Sequence, residues 1–205
     1  KLLYKLTNIV TIKNKKTFNT ITIIPARLDS SRLKQKLLRN ISGLPMIVRV
    51  AQNAKNLKIG RVIVGTDSRA IYNECEKNNL EAMMTKSSHK SGTDRVYEVY
   101  KILNKDFDLI TNLQGDLPIF KKELLEKTIQ LFSDDSVDIG SAVCDLEDSE
   151  IEDNNIVKAK VLLNDNDEGF ALDFIRAVDC RKNIYHHIGV YIYKPNVLKE
   201  FVSLL

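Results

Sequence analysis

Cysteine is scarce. Cys75, Cys144 and Cys180 stand far apart, with no CxxC pair and no companion histidine cluster. So sparse and odd a set fits buried thiols in a reducing compartment, and neither a disulfide framework nor a cysteine-held metal is expected. Long apolar runs are missing too. None approaches the roughly 20 residues of a membrane span, so no membrane partner is expected. The segment before Thr20 lacks a long apolar stretch and a small-residue cleavage site. A secretory signal is therefore not expected, and a cytoplasmic location is. The glycine patterns GxxxxGK[ST] and GxGxxG are both absent. Their absence excludes a Walker loop and a dinucleotide fingerprint.

Acidic residues are almost missing from the first 40 positions. Ten cations stand there (Lys1, Lys5, Lys13, Lys15, Lys16, Arg27, Arg32, Lys34, Lys36 and Arg39) against Asp29 alone, a net +9. The whole chain of 205 residues carries 31 Lys+Arg and 27 Asp+Glu, or +4, so the rest bears −5. Basicity spread over one face would point to nucleic acid. Here it is local, and no aromatic residue interleaves with the cations between Arg27 and Arg39. No nucleic-acid partner is expected. With 28% charged and 43% apolar residues the chain is not disordered. Its length suits one domain that buries about 70% of its unfolded surface without a staple.

Ile21–Ile24, stopped by Pro25, reads as a buried strand, as do Val62–Val64 and Leu109–Leu113. Ala82–Met84 reads as a shorter one. Between them lie helical stripes: Ile47, Val50, Ala51 and Ala54; then a helix over 68–78 capped by Asp67; then Val96, Val99, Tyr100 and Leu103; then Leu125, Ile129 and Phe132. Strands alternating with helices predict an α/β fold, a Rossmann-like mostly parallel sheet with helices on both faces. After Ile139 the pattern shifts to extended runs at 157–163, 172–175 and 185–193, with few helical stretches. These predict a smaller antiparallel portion. Residues 1–19 read as a basic extension and 20–205 as a single domain.

In an open α/β sheet, ligands bind beyond the carboxyl ends of the strands. The first strand ends in Pro25-Ala26-Arg27-Leu28-Asp29-Ser30-Ser31-Arg32-Leu33-Lys34-Gln35-Lys36. Arg27 and Arg32 can each grip a phosphate with two parallel hydrogen bonds, and Lys36 adds a point charge. Gln114-Gly115-Asp116 follows another strand directly, placing a carboxylate on the same crevice. Mg²⁺ is held by one or two carboxylates together with substrate phosphates, so Asp116 facing the basic loop is a candidate metal ligand. Read alone, the loop is also compatible with a solvated basic surface, and Asp116 with a turn cap. His187 and Tyr191, four apart on one strand, share a face; His186 points the other way and reads as structural.

Six segments in register carry a family resemblance: Pro25-Ala26-Arg27 with Ser31-Arg32-Leu33 and Lys36; Gly43-Leu44-Pro45-Met46-Ile47; Val64-Gly65-Thr66-Asp67; His89-Lys90-Ser91-Gly92-Thr93-Asp94-Arg95; Gln114-Gly115-Asp116-Leu117-Pro118; and His187-Ile188-Gly189-Val190-Tyr191. From about Ile21 onward the chain resembles the 3-deoxy-manno-octulosonate (Kdo) cytidylyltransferases. The resemblance implies a nucleotide-diphospho-sugar transferase-like fold and transfer of CMP from CTP to Kdo for lipopolysaccharide biosynthesis, with Mg²⁺ as cofactor. It implies that Arg27, Arg32 and Lys36 hold the triphosphate and, with Asp116, form the catalytic set, Asp116 being the metal ligand. It implies further that the nucleotide is held by the Ala26 backbone, Ser91, Gly92, Thr93 and Arg95, and the sugar acid by Gln114, Arg176, His187 and Tyr191. A homodimer is expected from the same resemblance.

Three departures stand out. Lys34-Gln35 replace the family's Pro-Gly, and Leu117 replaces a Glu after Asp116. The family also extends beyond the position of Leu205, so the domain is expected to be incomplete at its C-terminal side, where a second Mg²⁺-binding Asp belongs. Two alternatives stay open at this point: a CMP-sialic acid synthetase-like enzyme, and a nucleotide-binding chain without catalysis.

Overall fold

The computed structural model describes residues 16–28, 35–178 and 181–204. In chain order the elements are β1 (Thr20–Ala26), β2 (Asn40–Ile41), β3 (Leu44–Pro45), α1 (Met46–Asn56), β4 (Arg61–Thr66), α2 (Arg69–Lys77), β5 (Ala82–Met84) and α3 (Gly92–Leu103). There follow β6 (Leu109–Leu113), α4 (Lys122–Gln130), β7 (Ile139–Cys144), β8 (Lys158–Val161), β9 (Ala171–Ile175), β10 (Ile184–Tyr193) and α5 (Pro195–Ser203).

Among the described residues eight strands form one sheet, ordered β5-β4-β1-β6-β10-β8-β9, with β7 also on β10. The first four are parallel: Ala26 lies beside Thr66, and Thr66 beside Met84. Beyond β6 the pairing turns antiparallel. The expected mostly parallel core with an antiparallel addition is thus the observed fold. Period-two burial explains the layering. Ile24, Ala26, Val64 and Leu113 face α1, α2 and α4, while Ile21, Ile23, Ile63 and Ile110 face α3 and α5.

Two local readings need correction. Asp67 does not cap α2; Ser68 does, its hydroxyl accepting from the Ile71 N–H at 3.4 Å. The helix begins one residue later than a cap at Asp67 requires, and Asp67 turns toward α3 instead. The scarcity of helix after Ile139 also misses α5, which opens with Pro195 in its first turn and buries Leu198. Pro there lacks only an N–H that the first turn leaves unbonded anyway. At the amino-terminal side, residues 16–19 are tied to the body. The Asn19 N–H donates to Asp108 Oδ2 at 2.7 Å, and Phe18 packs beside Phe132.

Candidate active site

Because β1, β4, β5 and β6 run parallel, the loops that follow them emerge at one edge of the sheet. Arg27 leaves the end of β1 and its Nη2 donates to the Lys90 carbonyl at 3.3 Å. That contact links the β1 loop to the turn before α3. Gly92 makes the approach close: a Cβ there would sit 3.3 Å from Pro25 Cγ. Ser91 caps α3, accepting from the Asp94 N–H while the Asp94 carboxylate accepts from the Ser91 N–H, a reciprocal capping box. The first-turn N–H groups of Gly92 and Thr93 have no acceptor within the helix and carry the positive end of its dipole.

Lys36, ten residues beyond β1, donates from Nζ to Asp116 Oδ2, just after β6, at 2.6 Å. Both side chains are about one-third exposed, at 35% and 38%. The apolar floor beneath them explains the meeting. Gly115 brings its backbone against Leu37 and Ile47, and Leu117 packs on the same core cluster. Gln35 has φ 53°, a left-handed backbone that glycine adopts without penalty.

The third wall is β10. It pairs with β6 only through Val190–Tyr193, so its earlier residues run past the carboxyl end of β6. Gly189 therefore comes to lie against Gln114, whose amide a Cβ at 189 would overlap. His187 and Tyr191 share a face, with ring centroids 5.2 Å apart, and Phe174 meets His187 edge-on at 5.0 Å. His187 is buried, and its Nε2 is 2.8 Å from Ser141 Oγ. Burial, and secondarily the neighbouring His186, push its pKa below the usual histidine value. Burial raises the Tyr191 phenol, so it stays protonated at neutral pH. His186 points away, to Glu150 Oε1 at 2.8 Å, in agreement with its structural reading.

Arg95, expected at the nucleotide, stands in the first turn of α3. It is 1% exposed, and its guanidinium turns inward to Asp67 Oδ2 at 2.7 Å and to Thr85 Oγ1. The pair ties the ends of β4 and β5 to the first turn of α3, so Arg95 positions that turn from beneath. Thr93 accepts from Asn112 Nδ2 at 3.3 Å, which docks the same turn on β6. Arg176 is likewise occupied locally. Its Nη1 donates to the carbonyls of Asn154 and Asn155, and its own carbonyl accepts from the fully buried Lys158. No described contact joins it to His187. Arg32 lies outside the described residues.

Sequence reasoning missed Asp67 and Ser141 as site-building residues. Asp67 ends the segment Val64-Gly65-Thr66-Asp67 but suits a cap equally well. Ser141 carried no local signal, because its role depends on the pairing of β7 with β10.

Comparison with known proteins decides the relationship. The pattern of the family described as "Cytidylyltransferase" matches residues 21–205. The chain belongs to the cytidylyltransferase family. It is 38% identical over 195 residues to the 3-deoxy-manno-octulosonate cytidylyltransferase of Brucella anthropi, covering 92% of this chain and 78% of that one. The enzyme of the same name from Bartonella bacilliformis is 38% identical over 193 residues, with 92% and 79% covered. A solved family structure, CMP:2-keto-3-deoxy-manno-octonic acid synthetase complexed with CTP, superposes with a TM-score of 0.78 at 30% identity, covering 91% of this chain and 78% of that one. A cytidylyltransferase from Leptospira borgpetersenii shares the fold, at a TM-score of 0.59 and 15% identity over 91% and 65% of the two chains.

Proposed function

We propose that this protein transfers CMP from CTP to 3-deoxy-manno-octulosonate, releasing pyrophosphate. The observation that carries the reading is the meeting of Lys36 and Asp116, a cation and a carboxylate side by side near the strand ends. The kinship with the Brucella and Bartonella enzymes supports the same substrates.

In the proposed reaction a sugar hydroxyl oxygen bonds to the α-phosphorus, the bond to the β-phosphate breaks, and the hydroxyl proton is released. Charge grows on the phosphate oxygens and the leaving pyrophosphate, so catalysis is chiefly positioning and electrostatic stabilisation. Arg27 and Lys36, with Arg32, take the triphosphate. The first-turn N–H groups of Gly92 and Thr93 at the α3 terminus add donors for the nucleotide. Gln114, His187 and Tyr191 orient the sugar acid, and Arg176 serves it only if its loop contacts exchange.

A divalent cation fits beside Asp116. That carboxylate is partly exposed, and its present partner is a lysine that a triphosphate would attract away. Among the described residues no group of three His, Cys, Asp or Glu could hold a metal without help. One carboxylate plus substrate phosphates is the usual Mg²⁺ arrangement. When bound, the ion would supply charge neutralisation at the phosphates.

A reaction fed by CTP implies a cytoplasmic setting, and among the described residues no helix is long and apolar enough to cross a membrane. A homodimer is part of the proposal. Phe170, Leu172, Phe174 and Leu162 form an exposed apolar strip on and beside β9, suited to a second copy.

Pyrophosphate release tests the reading. With CTP and Mg²⁺, release is expected on adding Kdo and not on adding sialic acid. Release with sialic acid alone would overturn the substrate assignment. CTP binding by calorimetry without any product would leave a nucleotide-binding chain.

A further inference from the structure

We infer that Ser141 fixes the tautomer of His187, so that the imidazole presents Nδ1 as a hydrogen-bond acceptor to a hydroxyl of the sugar acid. The inference rests on the proposed sugar-binding role of His187.

The argument is one of proton inventory. Ser141 lies on β7 opposite Tyr191, where the register of β10 skips between Ile188 and Tyr191. At this bulge Ser141 Oγ is 2.7 Å from the Val190 carbonyl oxygen and 2.8 Å from His187 Nε2. A carbonyl only accepts, and a hydroxyl has one proton to give. That proton goes to Val190. The remaining bond requires His187 Nε2–H to donate into an Oγ lone pair. The ring is buried, which disfavours its charged form and keeps it neutral. A neutral ring with its proton on Nε2 has a bare lone pair on Nδ1.

Nδ1 makes no hydrogen bond with the described residues, yet no buried side-chain nitrogen or oxygen among them lacks a partner. Nδ1 therefore borders open space, on the part of β10 that runs past β6 toward Gln114. Phe174 and Tyr191 hold the ring from two sides. A bare lone pair repels a carboxylate and suits an O–H donor. His187 so held selects a sugar hydroxyl and leaves the acid group to a cation. Ser141 is a positioning residue in this scheme.

The test is NMR on isotope-labelled histidine in the intact protein, combined with kinetics. The wild-type protein is expected to show His187 as the Nε2–H tautomer at neutral pH. Ser141→Ala is expected to give a tautomer mixture and to raise KM for Kdo about tenfold, the order of one neutral hydrogen bond, with KM for CTP unchanged. Ser141→Thr, which keeps the hydroxyl, is expected to restore both. An Nδ1–H tautomer or an imidazolium in the wild type would overturn the inference even if Ser141→Ala failed to fold. An unchanged KM for Kdo in Ser141→Ala would overturn it as well. His187→Asn with unchanged KM for Kdo, beside a wild-type Nε2–H tautomer, would instead refute the sugar-site reading and leave the tautomer assignment standing.

Discussion

Lys36 Nζ and Asp116 Oδ2 stand 2.6 Å apart, although eighty residues separate them in the chain. Each is about one-third exposed, and such pairs contribute little to stability, about 0–1 kcal/mol. If the pair is instead a triphosphate and metal corner, activity and stability must part company. Lys36→Ala and Asp116→Asn are expected to lower kcat/KM for CTP by about 10- to 100-fold, the range of a charge-assisted hydrogen bond or a metal contact. Melting temperature should move by no more than a few degrees. Steady-state kinetics beside calorimetric melting checks both. A large stability loss with normal kinetics would make the pair structural.

Asp67 and Arg95 behave oppositely. Their pair is buried on the arginine side, so removing one partner strands a charge. Asp67→Ala is expected to cost about 3–5 kcal/mol. Replacing both, as Asp67→Ala with Arg95→Met, should cost clearly less than the two single changes summed, because no unpaired charge remains. Urea denaturation of the four proteins gives the coupling. Additive losses would mean that the pair does not act as a unit.

The fold was legible because its core strands are short apolar runs bounded by turns, and the stripes of α1 and α3 follow the helical period. The strand-end loops carrying Arg27, Lys36 and Asp116 followed from that layout. What escaped depended on contacts far apart in sequence. The resemblance sets Arg95 at the nucleotide, and the packing of α3 across β4 and β5 sets it against Asp67. Ser141 is invisible until the β10 bulge supplies a carbonyl and an imidazole together. Residue type set the chemistry, and topology set the aim.

Gln35 holds a left-handed backbone, φ 53°. A side chain costs about 1 kcal/mol in that region, partly offset because glycine is freer in the unfolded chain. Gln35→Gly is expected to stabilise the protein by about 0.5 kcal/mol, and Gln35→Val to destabilise it, since a branched Cβ fits that region worst. Differential scanning calorimetry reads both. A destabilising Gly would show that the Gln35 side chain makes a compensating contact.

Phe170, Leu172 and Phe174, on and just before the edge strand β9, are all exposed, Leu172 at 57%. Should two copies meet there, Leu172→Glu would place charge in the contact and shift the protein toward monomer in sedimentation velocity. Phe174 also touches His187, so a dimer closed over this strip would steady the sugar wall. Loss of dimer with a raised KM for Kdo is the expected pairing. A wild-type monomer at micromolar concentration would remove this part of the proposal.

His187 supplies a pH signature with a definite sign. Its pKa in the folded chain lies below the ordinary histidine value of 6.5, chiefly through burial. Between the two values the unfolded chain holds more proton than the folded one, so stability rises with pH there. The contribution is full above about pH 6.5 and is lost as pH falls through that value toward the folded pKa. Glu150 and Glu98, both held below the usual carboxylate range, act in the same direction but at lower pH. Subtracting the melting curves of His187→Asn from wild type isolates the histidine. The difference is expected to be flat above pH 7 and to shrink below pH 6.5. A difference that grew on acidification would mean that the ring is charged in the folded protein and faces an anion.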